Sequence, residues 1–263
     1  MEYSVFGGFA TSGGDATGNT VILDSGAETG NISGGWVDDA GSASGNTVII
    51  NTGAVVNWSV YGGLLSSDTG VTADNNTVIL HSGAIVGGDV YGGSKYMSVP
   101  FGTGNMLEVK GSGQSIGADL KGFQIFDFSL PTALTNGGTI LTVGNNADIT
   151  GVAVSIGGSG LSLSAGNTIV LIDAGAGAFT GAPANTTVSG GRYNWNLSVS
   201  GNKLIATAAQ NTAPTAPGAP TIGTATAGNG QATVSLHINE RLLSFGGITQ
   251  EMRDKARELI LNA

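Results

Sequence analysis

Gly18-Asn19-Thr20-Val21-Ile22-Leu23 recurs as Gly45-Asn46-Thr47-Val48-Ile49-Ile50, as Asn75-Asn76-Thr77-Val78-Ile79-Leu80 and, more loosely, as Gly104-Asn105-Met106-Leu107-Glu108-Val109. The Asn returns after 27, 30 and 29 residues. A second phrase keeps that period: Val5-Phe6-Gly7-Gly8, Ile32-Ser33-Gly34-Gly35, Val60-Tyr61-Gly62-Gly63 and Val90-Tyr91-Gly92-Gly93. Short β-rich units repeating at this length read as a solenoid, in which no unit buries its apolar face until a neighbour stacks on it. Between the phrases lies a Ser/Thr-Gly-Ala turn, as at Ser25-Gly26-Ala27. Between repeats lie loops such as Phe9 to Thr17, Trp36 to Ser44 and Leu64 to Asp74.

Comparing the copies assigns faces, because strand residues alternate sides. Val21, Val48, Val78 and Leu107 are all aliphatic, as are Leu23, Ile50, Leu80 and Val109, whereas the position between them holds Ile22, Ile49, Ile79 and Glu108. A position that accepts Glu points outward. In the second strand Val5, Ile32, Val60, Val90 and Leu120 point inward. The next position holds Phe6, Ser33, Tyr61, Tyr91 and Lys121, an outward and partly aromatic stripe. Stacked coils about 4.8 Å apart place Asn19, Asn46, Asn76 and Asn105 in a ladder at one corner, where Asn tolerates left-handed geometry. The Gly pairs are expected to supply positive φ at another corner.

Composition agrees with a folded, turn-rich, all-β chain. There are 263 residues, 46 Gly and no Cys; hydrophobic residues make up 40% and charged residues only 10%. The net charge of −9 comes without a cluster of Lys or Arg, so nucleic acid is not an expected partner. The lack of Cys excludes disulfides and thiolate metal sites. Met1-Glu2-Tyr3 runs directly into the first repeat without a signal-peptide pattern. With no capping segment before Val5, this reads as a piece of a longer exported chain.

After about residue 122 the period loosens. The stretch Tyr193 to Ala206 reads as a hairpin around Ser200-Gly201-Asn202-Lys203, suited to capping the stack. The Val-Tyr-Gly-Gly and Gly-Asn-Thr-Val phrases, with Leu163-Ser164-Ala165-Gly166-Asn167-Thr168-Ile169-Val170-Leu171-Ile172-Asp173-Ala174 and Tyr193 to Ala206, resemble the passenger regions of bacterial autotransporter adhesins over about residues 4–210. That resemblance implies a right-handed parallel β-helix, display at the cell surface, and adhesion or biofilm roles toward a host or bacterial surface glycan or protein. No β-barrel follows.

Residues 211–235 instead hold Pro214, Pro217 and Pro220, then a stretch to Ser235 that resembles the opening of a fibronectin type III-like domain without its later strands. Residues 236–263 are rich in charge, with Met252, Ala256, Leu259 and Ile260 on one helical face. They read as a short α-helical tail, weakly similar to the SHOCT-type module, and as a route to self-association.

Candidate contact residues are Phe6, Tyr61 and Tyr91 on the stripe, with Trp36 and Trp58 near them in sequence. Exposed aromatics stack on sugars or proteins; the same rings also serve to shield a neighbouring coil or loop. No catalytic residue, metal ligand or cofactor is assigned. His81 and His237 stand alone. The acidic residues fall mainly in turns, which leaves a polysaccharide-active β-helix enzyme as a third reading. Gly13 to Asn19 lacks the tandem nine-residue period of calcium-binding β-rolls. Thr20, Thr47 and Thr77 stand alone in their strands, unlike a paired Thr ladder. The reading is therefore a non-catalytic adhesin or structural scaffold, with a self-assembling structural protein as the alternative.

Overall fold

A computed structural model describes residues 3–158, 161–190 and 193–210. The expectations for residues 211–235 and 236–263 fall outside them. The repeated phrases stack as a parallel β-solenoid of six coils, and no helix occurs among the described residues.

The first coil contains β1 (Val5–Ala10), β2 (Thr20–Leu23) and β3 (Glu28–Thr29). The second contains β4 (Ile32–Val37), β5 (Gly41–Ser42), β6 (Thr47–Ile50) and β7 (Val55–Val56). The third contains β8 (Val60–Leu65), β9 (Val71–Thr72), β10 (Thr77–His81) and β11 (Ile85–Val86). The fourth contains β12 (Val90–Lys95), β13 (Val99–Pro100), β14 (Met106–Lys110) and β15 (Gln114–Ile116). Two plainer coils follow: β16 (Leu120–Lys121), β17 (Ile125–Ser129) and β18 (Thr139–Val143), then β19 (Ala147–Asp148), β20 (Ala153–Gly157) and β21 (Thr168–Asp173). The end is built from β22 (Phe179–Thr180), β23 (Thr187–Gly190), β24 (Tyr193–Ser200) and β25 (Lys203–Gln210).

Three sheets run along the stack. The first joins β1, β4, β8, β12, β16, β19 and β22; the second joins β2, β6, β10, β14, β17 and β20; the third starts β3, β7, β11, β15, β18, β21. Their pairings are parallel and in the register that the repeats predict, with Val21 beside Val48 and Val5 beside Ile32. The face assignment holds. Val48, Ile50, Val78, Leu80, Leu107 and Val109 are fully buried, whereas Ile22 is 55% exposed. The first strands of the third sheet, β3, β7 and β11, have no counterpart in the sequence reading. They have two residues each, too few to show a period of two.

The Asn ladder is buried and continuous. The Asn46 Oδ1 accepts from the Asn19 backbone N–H and side-chain amide, both at 2.9 Å. Asn76 does the same for Asn46, at 2.9 and 3.2 Å, and Asn105 for Asn76, at 2.8 and 3.2 Å. Gln124 ends the ladder by accepting from the Asn105 backbone at 2.9 Å. The left-handed residue is the one before each Asn, namely Gly18, Gly45, Asn75 and Gly104. A second ladder serves another corner. Asn31, Ser59, Asp89 and Asp119 each accept, through a side-chain oxygen, from the backbone of the next coil at 2.9–3.0 Å. Asp89 and Asp119 thus share one repeat position with Asn31 and Ser59, because all four supply this acceptor.

The Gly pairs correct a sequence expectation. Gly7, Gly8, Gly34, Gly35, Gly62, Gly63, Gly92 and Gly93 do not have positive φ. They are needed because the chain approaches too closely for a side chain. A Cβ on Gly35 would lie 2.2 Å from the Ala16 carbonyl oxygen and 2.7 Å from the Asn46 amide nitrogen. The Gly pair and the Asn ladder therefore form one tightly packed seam.

Beyond that seam the loops are ordered. Ala16, Val37, Ala43, Leu65 and Ala73 form a second small core, with Ala10, Val71 and Phe101 packed on it. The chain thus leaves the main core at the Gly pair, runs out along an arm, turns and returns at the Asn. β5 pairs with β9 near the tip of this arm. β13 folds back antiparallel on β12 and covers the end of the arm at the fourth coil. The next rung is only 19 residues on, from Asn105 to Gln124, because the arm has ended.

The far end of the main core is closed by β21, β25, β24 and β23 in antiparallel order, around a turn with Gly201 at φ 59°. Trp195 is 1% exposed and packs against Tyr193 at the end of the core. The segment Leu161 to Leu163 is not a strand, yet both Leu side chains are buried. The Tyr193 hydroxyl accepts from the Leu163 N–H at 3.0 Å and meets the Leu161 and Leu163 carbonyls at 3.0 and 2.8 Å. The side-chain amide of Asn185 both donates to and accepts from the Val154 backbone, at 3.0 and 2.8 Å, occupying the edge of β20.

Candidate functional site

The bend at the Gly pair decides what the outside of the first sheet presents. Side chains three apart normally lie on opposite faces of a strand. Here Phe6 and Phe9, on either side of Gly7-Gly8, have ring centroids only 6.5 Å apart. Tyr61 and Leu64 likewise share one cluster. Two columns therefore meet on one outer surface: Phe6, Ser33, Tyr61, Tyr91, and beside it Phe9, Trp36, Leu64, Ser94.

The columns differ along the stack. In the first two coils, Phe6 and Phe9 are 37% and 55% exposed and Trp36 is partly exposed. Trp36 packs on both rings, at 5.0 and 4.9 Å between centroids, and its indole N–H donates to the Ser66 hydroxyl at 2.8 Å. In the third and fourth coils, Tyr61 and Tyr91 stack face to face, 5.6 Å apart and 5° from parallel. They are only 4% and 2% exposed. The hairpin joining β12 to β13 covers them. Tyr61 donates to the Met97 carbonyl at 3.4 Å and Tyr91 to the Ser98 carbonyl at 3.3 Å. Burial pushes both phenols above their ordinary value of 10.0, and the nearby Asp89 carboxylate acts in the same direction.

Of the five candidate residues, the structure thus gathers Phe6 and Trp36 in an accessible group and places Tyr61 and Tyr91 under the hairpin. Trp58 is 51% exposed at a separate corner, where its backbone N–H donates to Gly30 and its carbonyl accepts from Gly88. Phe9 and Leu64 belong to the surface, although their sequence context reads as the start of loops. The signal that marks them is their fixed position one residue after each Gly pair.

Lys95 lies 3.7 Å over the centre of the Phe101 ring and 3.6 Å from the Asp68 carboxylate. Among the described residues, no group of three or more His, Asp and Glu gathers as a metal site would require. His81 sits at the end of β10, beside Lys110 in register. No protein-family model, no curated protein and no solved structure matches the chain.

Proposed function

We propose that the chain is a non-catalytic scaffold of the adhesin or structural-passenger kind, displayed at a cell surface and holding the Phe6–Phe9–Trp36 surface toward a glycan or protein of a host or bacterial surface. The observation that carries this reading is the set of three mutually packed rings left accessible outside two hydrophobic cores. Aromatic faces of this kind stack on sugar rings with little ordering cost, because they are already fixed. The stacked backbone and the buried ladders supply the rigidity.

The test is retention of purified chain on immobilised glycans, comparing wild type with Phe9→Ser. Phe9 is the most exposed of the three rings, so its loss is expected to weaken retention while leaving thermal stability nearly unchanged. Equal retention by the two proteins would refute the surface. Release of reducing ends from the same glycans would instead favour the polysaccharide-active enzyme. Self-association through residues 236–263 is read separately, from the sedimentation of the full chain over a range of concentrations.

A further inference from the structure

The proposed contact surface has a charge as well as an aromatic face. The register of β1, β4 and β8 continues past their ends. Ala10 pairs with Val37 and Val37 with Leu65 at the strand ends, and the backbone ladder runs one bond further, from the Asp38 N–H to the Ala10 carbonyl and from the Ser66 N–H to the Val37 carbonyl. Val37 is buried in the arm, which turns Trp36 to the opposite, outer face of β4 by strand alternation, and Asp38 follows directly after the strand. The Trp36–Ser66 hydrogen bond shows that the residue following β8 lies beside the indole, as Asp38 follows β4. Asp38 is exposed, and its backbone N–H donates to the Ala10 carbonyl at 3.0 Å. Its carboxylate makes no ion pair or hydrogen bond among the described residues; Asp39 beside it is also exposed.

Among the described residues the lysines are held elsewhere. Every lysine among the described residues is engaged: Lys95 with Asp68 at 3.6 Å, Lys110 with Glu108 at 2.9 Å, Lys121 with Asp119 at 2.5 Å, and Lys203 with Asp173. An anionic sugar on Trp36 would meet the Asp38 carboxylate and no unengaged ammonium among those residues. A neutral sugar would gain ring stacking alone. A sugar with a free amine would gain stacking and place its ammonium between ring and carboxylate. The arm already contains that arrangement once, where the Lys95 ammonium lies between the Phe101 ring and Asp68. Trp36 and Asp38, two residues apart and both at the surface, offer a ring and a carboxylate without a cation of their own among the described residues.

We infer that this surface takes a polysaccharide whose hexosamines carry free amino groups, a cationic glucosamine polymer, rather than a fully acetylated or acidic one. The inference rests on the reading of the surface as a glycan contact and specifies the class of glycan. The pairing of a cation with an aromatic face and a solvent-exposed carboxylate gives a modest preference, about ten-fold in affinity at low salt.

The experiment immobilises the full chain and measures binding of four probes: a glucosamine hexamer with free amines, the same hexamer N-acetylated, a galacturonate hexamer and a lysine hexapeptide. The free-amine hexamer is expected to bind about ten-fold more tightly than the acetylated one, with the gap closing as salt rises. Asp38→Asn is expected to shrink that gap to about three-fold or less without changing the melting temperature. Equal binding of the free and acetylated hexamers would overturn the charge argument and leave the glycan surface standing. Preference for galacturonate would overturn it outright, and the lysine peptide binding as tightly as the glucosamine hexamer would assign a basic peptide instead. Binding of none of the four probes would overturn both this inference and the glycan contact.

Discussion

Replacing Asn76 by Ala tests whether the buried ladder holds the coils together. Asn76 is fully buried, and its Oδ1 accepts from the Asn46 backbone N–H at 2.9 Å and from the Asn46 amide at 3.2 Å. The substitution leaves the fully buried Asn46 N–H without an acceptor. The Asn46 amide keeps its other bond, to the Ala16 carbonyl at 3.0 Å. An orphaned buried donor costs about 2 kcal/mol, and two lost side-chain bonds together about 1–2 kcal/mol more. The void cannot refill from that side, because the neighbour facing the missing amide is Gly63, which has no side chain. The expected loss is therefore about 3–4 kcal/mol, a large part of a typical domain's stability. Urea unfolding followed by circular dichroism, with the slope unchanged from wild type, measures it.

Asn57→Ala is the control, since the Asn57 bond to Glu28 is exposed; it is expected to change stability by less than about 0.5 kcal/mol. Asn76→Asp adds a second readout. Its carboxylate retains the acceptor for Asn46 but turns a second oxygen toward the Asn105 Oδ1, where the native amide donates at 3.2 Å. Burial and that facing oxygen raise its folded pKa above the unfolded value. The folded state then binds more protons, so the variant gains stability as pH falls from neutral and loses it as pH rises. A loss below about 1 kcal/mol for Asn76→Ala, or no such pH trend for Asn76→Asp, would refute the account.

Gly35→Ala is expected to cost about 3 kcal/mol or more, since its Cβ would sit within 2.2 Å of a backbone oxygen that cannot rotate away; thermal melting checks it. Tyr61→Ser and Tyr91→Ser are each expected to lower stability by about 3 kcal/mol, as truncation of a buried ring does, and to make residues 96–98 more susceptible to limited proteolysis; an unchanged melting temperature would refute the packing of the hairpin on these rings. Acid is expected to weaken the two ion pairs at the outer corners. The bond from Lys203 holds Asp173 below the ordinary value of 3.8. Burial pushes Asp119 up, but bonds from Lys121 and Asn146 outweigh it and hold Asp119 below 3.8 as well. A depressed folded pKa gives stability that is present above the unfolded value and lost as pH falls through the folded one. The cost of Lys203→Met should thus be constant near neutral pH and shrink only below pH 3.8, as melting scans across that range would show.

The main core was legible because its rule is periodic. One Glu, at position 108, was enough to set the faces of the second sheet, and the Asn repeat located the ladder. What escaped had no period or no local sign. The strands β3, β7 and β11 are too short to alternate. Ala16, Ala43 and Ala73 look like loop residues until the coils stack and bring them into one core. Gly7-Gly8 and its copies carry the same letters whether a chain needs positive φ or a close approach, so only coordinates separate the two. The stripe of Phe6, Tyr61 and Tyr91 was found in sequence, but its unequal exposure was not. The cover over Tyr61 comes from a carbonyl 36 residues away, in a hairpin that no other repeat contains.

The arm gives the chain a place to vary without disturbing the stack. Rungs separated by 27, 30 and 29 residues, and then by 19, all meet in the same ladder geometry. Most of the difference is absorbed beyond the Gly–Asn seam, where 11 residues separate Gly35 from Asn46 but 13 separate Gly63 from Asn76, and the seam acts as a clamp on the base of each arm. Foreign peptides inserted at an arm tip, for example after Gly13 or Thr69, should therefore leave coil registration intact, whereas the same insertion between an Asn and its following strand would shift every rung after it. The solenoid is in this sense a mounting rail with graftable fingers along one edge.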